Sequence, residues 1–245
     1  MNNISKDKYI SLCSSSHREE ALYYDALGWD TENWSRGLKY LEKEIELKDK
    51  KVLELGCGGL NGGLSLWAAC KGAKEIICST YGNVINVTRE IHRDYNIDFI
   101  KYSDVNALDI PYENEFDLIM FKSMLGGIAR ENFSYNQLVL KNCAKALKAG
   151  GLLIFAENLT STYFHSFFRK KIKKMTWHYY ELNELENEIK KIEDLEIIKH
   201  KEFGFIACFG INEKQRIMLG KLDSMLEKLC PDKWKYIQFW IIKKK

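Results

Sequence analysis

The feature that most constrains this chain is a short apolar run that passes directly into glycines, Lys51-Val-Leu-Glu-Leu55 followed by Gly56-Cys57-Gly58-Gly59. Glycine tolerates positive φ and admits a ligand against bare backbone, so this cluster marks a tight strand-to-helix turn open to a small molecule. At the carboxyl end of a parallel strand such a turn faces the natural ligand crevice of an α/β sheet. The plain alternative is a turn that binds nothing.

The rest of the pattern builds that sheet. Leu64, Leu66, Trp67 and Ala69 have helical spacing, Lys74–Cys78 reads as a second strand and Asn83–Asp94 as a second helix. Ile97–Tyr102 and Phe116–Phe121 read as strands three and four. Asn132–Leu147 is a helix for which a glycine of Lys148-Ala-Gly-Gly151 can serve as C-cap, and Gly151–Phe155 is a fifth strand. The alternation continues with helix Glu181–Lys191, strand Leu195–Glu202, helix Asn212–Leu229 and strand Lys235–Ile242. Upstream, His17–Ala26 and Thr31–Leu47 read as helices, with Asp30 or Thr31 as a cap. The expected fold is α/β: one domain over residues 1–245, with a doubly wound, mostly parallel seven-stranded sheet and an N-terminal helical cap over 1–50.

Composition removes several classes of protein. With 245 residues, two prolines and no low-complexity tract, the chain has no evident linker. A formal charge of +3 is a small footprint for nucleic acid. No segment reads as a signal peptide or a membrane span. Cysteines at 13, 57, 70, 78, 143, 208 and 230 form no CxxC pair and no metal-ligand spacing, so free thiols in a reducing cytoplasm and no metal site are expected.

Which ligand does the glycine turn hold? A dinucleotide fingerprint needs glycine at position 61, where the chain has Asn61, and an acid after the second strand, where it reads Cys78-Ser-Thr-Tyr-Gly82. A phosphate-binding Gly-Lys-Ser/Thr loop is missing too. The segment VLELGCGG at 52–59 instead resembles the first motif of the class I S-adenosylmethionine-dependent methyltransferases, a Rossmann-like family. Ser103-Asp104-Val105, Phe116-Asp-Leu-Ile and Leu147-Lys-Ala-Gly-Gly151 resemble its later motifs, in order and at the expected intervals.

The resemblance covers residues 51–157, the cofactor-binding core, and leaves 158–245 as the acceptor side. It implies S-adenosylmethionine as cofactor and S-adenosylhomocysteine as product. Glu54 would orient the loop and the ligand's amino-acid end, Gly56, Cys57 and Gly58 would lie against the cofactor, and Asp104 with Val105 would meet the adenine. Thr80 and Tyr81 stand where the family places a ribose-binding acid, so a hydroxyl, or Ser79 or Asn83, takes that place. Neutral hydroxyls make weaker hydrogen bonds than carboxylates.

Methyl transfer is an in-line displacement, for which alignment can contribute about 7–11 kcal/mol, and an alcohol acceptor also needs a base. Of the five histidines, His165 after the fifth strand and His17 in the cap are the catalytic candidates; His92 and His200 read as structural or solvated. Lys122 and Ser123 close the fourth strand at the crevice, with Lys122 set to pair with an anion or with a protein carboxylate. The block KSMLGG at 122–127 resembles a signature of methyltransferases from bacterial surface-polysaccharide loci, and its two glycines permit a close backbone approach.

Arg169, Lys170, Lys171, Lys173 and Lys174 make a local positive field, followed by Trp177, Tyr179 and Tyr180. A solvated helix face, a phosphate-bearing acceptor, an anionic membrane surface and RNA are the readings, with RNA last. The expectation is a cytoplasmic O-methyltransferase of a small molecule, a sugar hydroxyl or phosphate-type oxygen on a bacterial capsule precursor. An RNA or protein methyltransferase and a catalytically silent cofactor-binding subunit are the alternatives. Tyr23, Tyr24, Trp29 and Trp34 would form a lid or the contact of a homodimer.

Overall fold

The computed structural model describes residues 22, 27–57, 62–82, 86–169 and 176–245. Seven strands pair into one sheet of order β3-β2-β1-β4-β5-β7-β6. They are β1 (Lys51–Leu55), β2 (Glu75–Thr80), β3 (Lys101–Asp104), β4 (Phe116–Lys122), β5 (Leu147–Asn158), β6 (Leu195–Phe203) and β7 (Ile237–Lys244). The first five run parallel, and β7 inserts antiparallel between β5 and β6. The order of strand addition reverses between β1 and β4, which stay parallel, and that is the switch point where a crevice opens.

Side chains alternate between two cores, as the pleat requires. Val52, Leu118, Met120, Ile154 and Ile241 join one cluster, while Leu53, Ile119, Phe121, Leu153 and Ile242 join the other. The first core is covered by α1 (Thr31–Glu44) and α2 (Gly63–Cys70), which contribute Trp34, Leu38, Leu66 and Trp67. The helix α3 (Asn86–Asp94) follows β2. The second core is covered by α4 (Leu125–Ala129), α5 (Tyr135–Ala146) and α7 (Glu184–Lys190), through Leu125, Val139, Leu140, Cys143, Leu185 and Ile189. The short α6 (Tyr163–Phe167) follows β5, and α8 (Glu213–Leu226) packs outside α1.

Several expectations need correction. The third strand is Lys101–Asp104 rather than Ile97–Tyr102; Ile97 and Ile100 are buried, but in the segment leading to it. β5 starts at Leu147, directly after α5, so no glycine caps that helix. Gly150 (φ 74°) instead turns within an irregularity where the register jumps from Phe116–Leu147 to Leu118–Leu152. α4 has no counterpart in the sequence reading.

Of the expected N-terminal cap, α1 packs on the sheet, and most of the helix expected at 17–26 lies outside the described residues. Asp30 occupies the N-cap position of α1 without capping it (φ 48°). The cap comes from Glu213 of α8, whose carboxylate accepts the N–H groups of Asp30 (3.0 Å) and Thr31 (2.8 Å). Trp34 is core rather than lid or interface. The described cysteines are free and, Cys230 apart, buried. No helix among the described residues is long and apolar enough to cross a membrane.

Candidate functional site

A cavity of about 1040 Å³ opens over the carboxyl ends of β1, β2 and β4. At its floor Gly56 leaves β1 with φ 69°, a conformation suited to glycine, and a Cβ there would stand 3.0 Å from the Met124 sulfur. Bare backbone therefore faces the cavity where the resemblance requires it. Gly58 lies outside the described residues. Cys57 is buried beneath the turn, its N–H donating to Ser79 O (2.9 Å).

Glu54 acts on the start of α2. Its Oε2 accepts the N–H of Ser65 in the first turn of α2 (2.8 Å), where the helix has no side-chain cap of its own. A carboxylate there meets the positive end of the helix dipole. Burial is the larger influence and raises its pKa. Ser79 Oγ–H donates to Glu54 O (2.6 Å), and His92 braces the far side of the turn through Gly62 O (3.0 Å) and the Tyr102 hydroxyl (2.7 Å).

Thr80 and Tyr81 line the cavity at the end of β2, and Val105 lines it after β3. Asp104, paired in register with Thr80, is turned outward; its Oδ1 accepts the Gly82 N–H (3.1 Å), and it is not part of the lining. Asn106, Ala107 and Leu108 complete that wall, and the sequence reading missed them. A bare turn, a hydroxyl at Thr80 and the mixed wall from Val105 to Leu108 suit an amino-acid-bearing nucleoside.

Lys122 and Ser123 part company. Ser123 (φ 48°) lines the cavity, with its Oγ accepting from Asn158 Nδ2 (3.0 Å). Lys122 points away: its Nζ donates to Leu27 O (2.7 Å) and sits 4.2 Å from the centre of the Trp34 ring. Burial pulls its pKa down to about 7. Lys122 therefore ties the stretch before α1 to the sheet instead of meeting the cofactor, and Trp29 of that stretch lines the cavity.

His165 also departs from its expected place. It is 1% exposed, and both ring nitrogens are engaged: Nε2 with Phe205 O (2.5 Å), Nδ1 with Thr162 Oγ1 (2.6 Å). Burial lowers its pKa to about 4. A ring pinned this way between a carbonyl and a hydroxyl, outside the lining, joins α6 to the segment after β6 and is not placed to take a proton from an acceptor. His17 lies outside the described residues.

The glycines of KSMLGG do permit close approach, but the approaching group is Trp177. A Cβ on Gly126 would stand 2.2 Å from Trp177 Nε1 and 2.5 Å from His178 O, and one on Gly127 would stand 2.7 Å from the same indole. The helix α4 that carries them is started by Glu157, whose Oε1 accepts the Leu125 N–H (2.6 Å). Burial raises the Glu157 pKa to about 8.

Trp177, Tyr179, Ile128 and Cys208 wall the rest of the cavity, and Met124 lines it beside Gly56. Arg169 and Arg216 add charge there. Arg169 donates to Leu159 O (2.5 Å) and lies 4.3 Å from the Tyr179 ring; Arg216 pairs with Glu213 at 2.9 Å. Lys170, Lys171, Lys173 and Lys174 lie outside the described residues. Among the described lining residues, Glu131 is the one carboxylate, exposed at the rim, and there is no histidine.

The strand order, the glycine turn and the crevice define a class I methyltransferase fold. Residues 53–155, less than half of the chain, match the family described as "Methyltransferase domain", in keeping with the resemblance to the class I S-adenosylmethionine-dependent methyltransferases. Among curated proteins, the chain is 34% identical over 121 residues to a ubiquinone biosynthesis O-methyltransferase of Coxiella burnetii, covering 49% of this chain and 48% of that one. It is 26% identical over 156 residues to a protein of the same name from Pseudomonas syringae pv. tomato, covering 58% and 64%. The chain thus spans about half the length of the Coxiella relative it matches. In fold it is similar to an S-adenosylmethionine-dependent methyltransferase from Mesorhizobium loti (TM-score 0.57, 15% identity, 84% and 96% covered). It is equally similar to the [4+2]-cyclase SpnF (TM-score 0.58, 17% identity, 84% and 79% covered), so the fold alone does not fix the reaction.

Proposed function

We propose that this chain transfers a methyl group from S-adenosylmethionine to an oxygen of a small acceptor. The observation that carries the reading is one continuous cavity, with the bare turn at Gly56 and the Thr80–Leu108 wall at one end and the Trp177–Tyr179 wall at the other. The name of the curated relatives supports oxygen as the accepting atom. The bound cofactor supplies an electrophilic methyl group; alignment and exclusion of water fall to the chain. Ser123 and Asn158 in the lining offer the acceptor polar partners, while Met124, Ile128 and Trp177 shed water from it.

With no histidine and no buried carboxylate among the described lining residues, an acceptor oxygen that ionises readily suits the site better than an aliphatic alcohol. A phenol is our first candidate. The second is a phosphate-bearing sugar of a bacterial surface-glycan precursor, favoured by Arg216, whose buried Nε has no hydrogen-bond partner.

Calorimetry with S-adenosylmethionine and S-adenosylhomocysteine, followed by S-adenosylhomocysteine release with phenols and with nucleotide-linked sugars, tests the reading. Tight cofactor binding with phenol turnover is expected. Absence of binding at millimolar cofactor overturns it, and binding without turnover on any small acceptor returns the RNA, protein or silent-subunit alternatives. For a phosphate-bearing acceptor the Michaelis constant must rise with salt.

A further inference from the structure

Helix α8 has its polarity turned inside out. Residues three and four apart share a helix face. The face of α8 toward the protein carries Arg216, Gly220 and Asp223, and none of its residues joins either hydrophobic core. Gly220 lies against Glu32, and Asp223 accepts from Ile206 N (2.8 Å), Ala207 N (3.1 Å) and Asn33 Nδ2 (2.9 Å). The opposite face carries Met218, Leu222, Met225 and, one turn further, Leu229; Met225 is 75% exposed and Leu229 82%. A surface helix ordinarily buries its apolar stripe and exposes its polar one.

The stripe does not stand alone. Ile211, 80% exposed, precedes the helix, and Trp234 follows it with its indole half out. The Trp234 carbonyl accepts from Ser161 Oγ, which brings in the start of α6 with its exposed Tyr163 and Phe164. Lys214, Lys221 and Lys228, seven residues apart, run exposed along one flank of the stripe. The acids of α8 and of the turn after it face inward: Glu213 caps α1, Asp223 is buried, and Glu227 pairs with Arg36; Asp232, near Trp234, is exposed and paired with Lys235 (2.6 Å).

We propose that this face lies in the surface of an anionic lipid bilayer. An apolar stripe flanked by lysines, on a helix with no exposed carboxylate of its own and with Asp232 beyond it neutralised by Lys235, is complementary to acyl chains beneath anionic headgroups, with the lysine stems reaching up to the charge. Trp234 and Tyr163 suit the headgroup level. Fourteen residues rise about 21 Å and cannot span the bilayer, so α8 lies in its plane. A second copy of the chain fits this face less well, because a twofold contact would set lysine rows toward one another and bury lysine, which interface cores avoid. Since Arg216 on the inner face lines the cavity, the cavity is then one helix thickness from the membrane.

The test is sedimentation of the full chain with phosphatidylcholine vesicles, with and without phosphatidylglycerol, and without cofactor, so that its outcome is independent of the methyl-transfer reading. Partition into the phosphatidylglycerol vesicles, weakened by salt, is expected. The double variant M225E/L229E should bind about tenfold less or weaker still. Removing Lys214, Lys221 or Lys228 as glutamine should cost about fivefold each at low salt. All five side chains are exposed, so thermal melts should stay near wild type. Failure to partition, equal partition of M225E/L229E, or a solution dimer that M225E/L229E dissociates each overturns the proposal.

Discussion

Replacing Gly126 by alanine adds one methyl group at the most crowded point of the site. The new Cβ would stand 2.5 Å from His178 O, whereas ordinary contact begins at 3.4 Å, so backbone must retreat by about 0.9 Å. A rotamer change of Trp177 relieves the indole clash but not the carbonyl clash. Overpacking of this kind costs about 1–3 kcal/mol of stability. A shift near 1 Å in a wall that positions the acceptor costs about 10²-fold in rate. G126A should therefore lower kcat/KM for the acceptor about 10²-fold while leaving the S-adenosylmethionine Kd nearly unchanged, because Gly56 and Thr80 lie at the other end of the cavity. Gly127→Ala meets the indole alone among its nearest neighbours. Adding Trp177→Leu should thus restore the stability of G127A far more than that of G126A. Urea melts and steady-state kinetics on the four variants measure this. Wild-type stability and kinetics in G126A would refute the packing argument, and equal rescue in both backgrounds would refute the role of the His178 carbonyl.

Other perturbations separate structural from chemical roles. His165→Ala should lose about 1–3 kcal/mol of stability from its orphaned partners, with the pH profile of kcat unchanged; a large rate loss at full stability would instead make it the base. Glu54→Ala leaves the Ser65 N–H without its acceptor and should weaken S-adenosylmethionine binding about tenfold by calorimetry, whereas Glu54→Gln, which keeps an acceptor oxygen, should bind nearly as wild type. Lys122 has a folded pKa near 7 against 10.5 for the free side chain, so between those values the unfolded chain holds a proton the folded one has released. Stability should rise with pH across that window, and Lys122→Met should lack the rise. Asp30, pushed up to about 8, slopes stability the other way below pH 8, and its charge acts on Lys122, so the two proteins are compared above pH 8, where Asp30 is ionised whether folded or unfolded. Parallel pH curves for wild type and K122M would contradict this assignment.

Where the sequence carried the structure, the signal was local. β1 falls where its apolar run ends in glycine, and the strands on both sides of it follow from similar runs. β3 was misplaced because an edge strand with half-exposed side chains, Lys101 to Asp104, has no apolar signature, while Ile97 and Ile100 imitate one. α4 was invisible because Gly126 and Gly127 are poor helix formers; the carboxylate that starts it, Glu157, lies 32 residues away from Leu125. That Gly56, Thr80, Tyr81 and Val105 line the cavity was legible, since one motif per strand end places them. The far wall is assembled from Trp177, Tyr179, Cys208 and Arg216, which share no local pattern. Lys122 and His165 were placed on the right segments, but whether each side chain turns toward the crevice is decided by partners distant in sequence, Leu27 and Phe205.

The insertion of β7 between β5 and β6 sets an order of assembly. β6 has one strand neighbour, and that neighbour is drawn from residues 237–244. The parallel half from β3 to β5 can zip up from pairings already in hand, while β6 has nothing to pair with until β7 docks on β5. Amides of β6 should then gain protection from hydrogen exchange together with β7 and after β1 and β4, and in the native protein the two should open as one unit. The α8 face and Arg216 follow β6 in the chain, so the far end of the cavity becomes complete last.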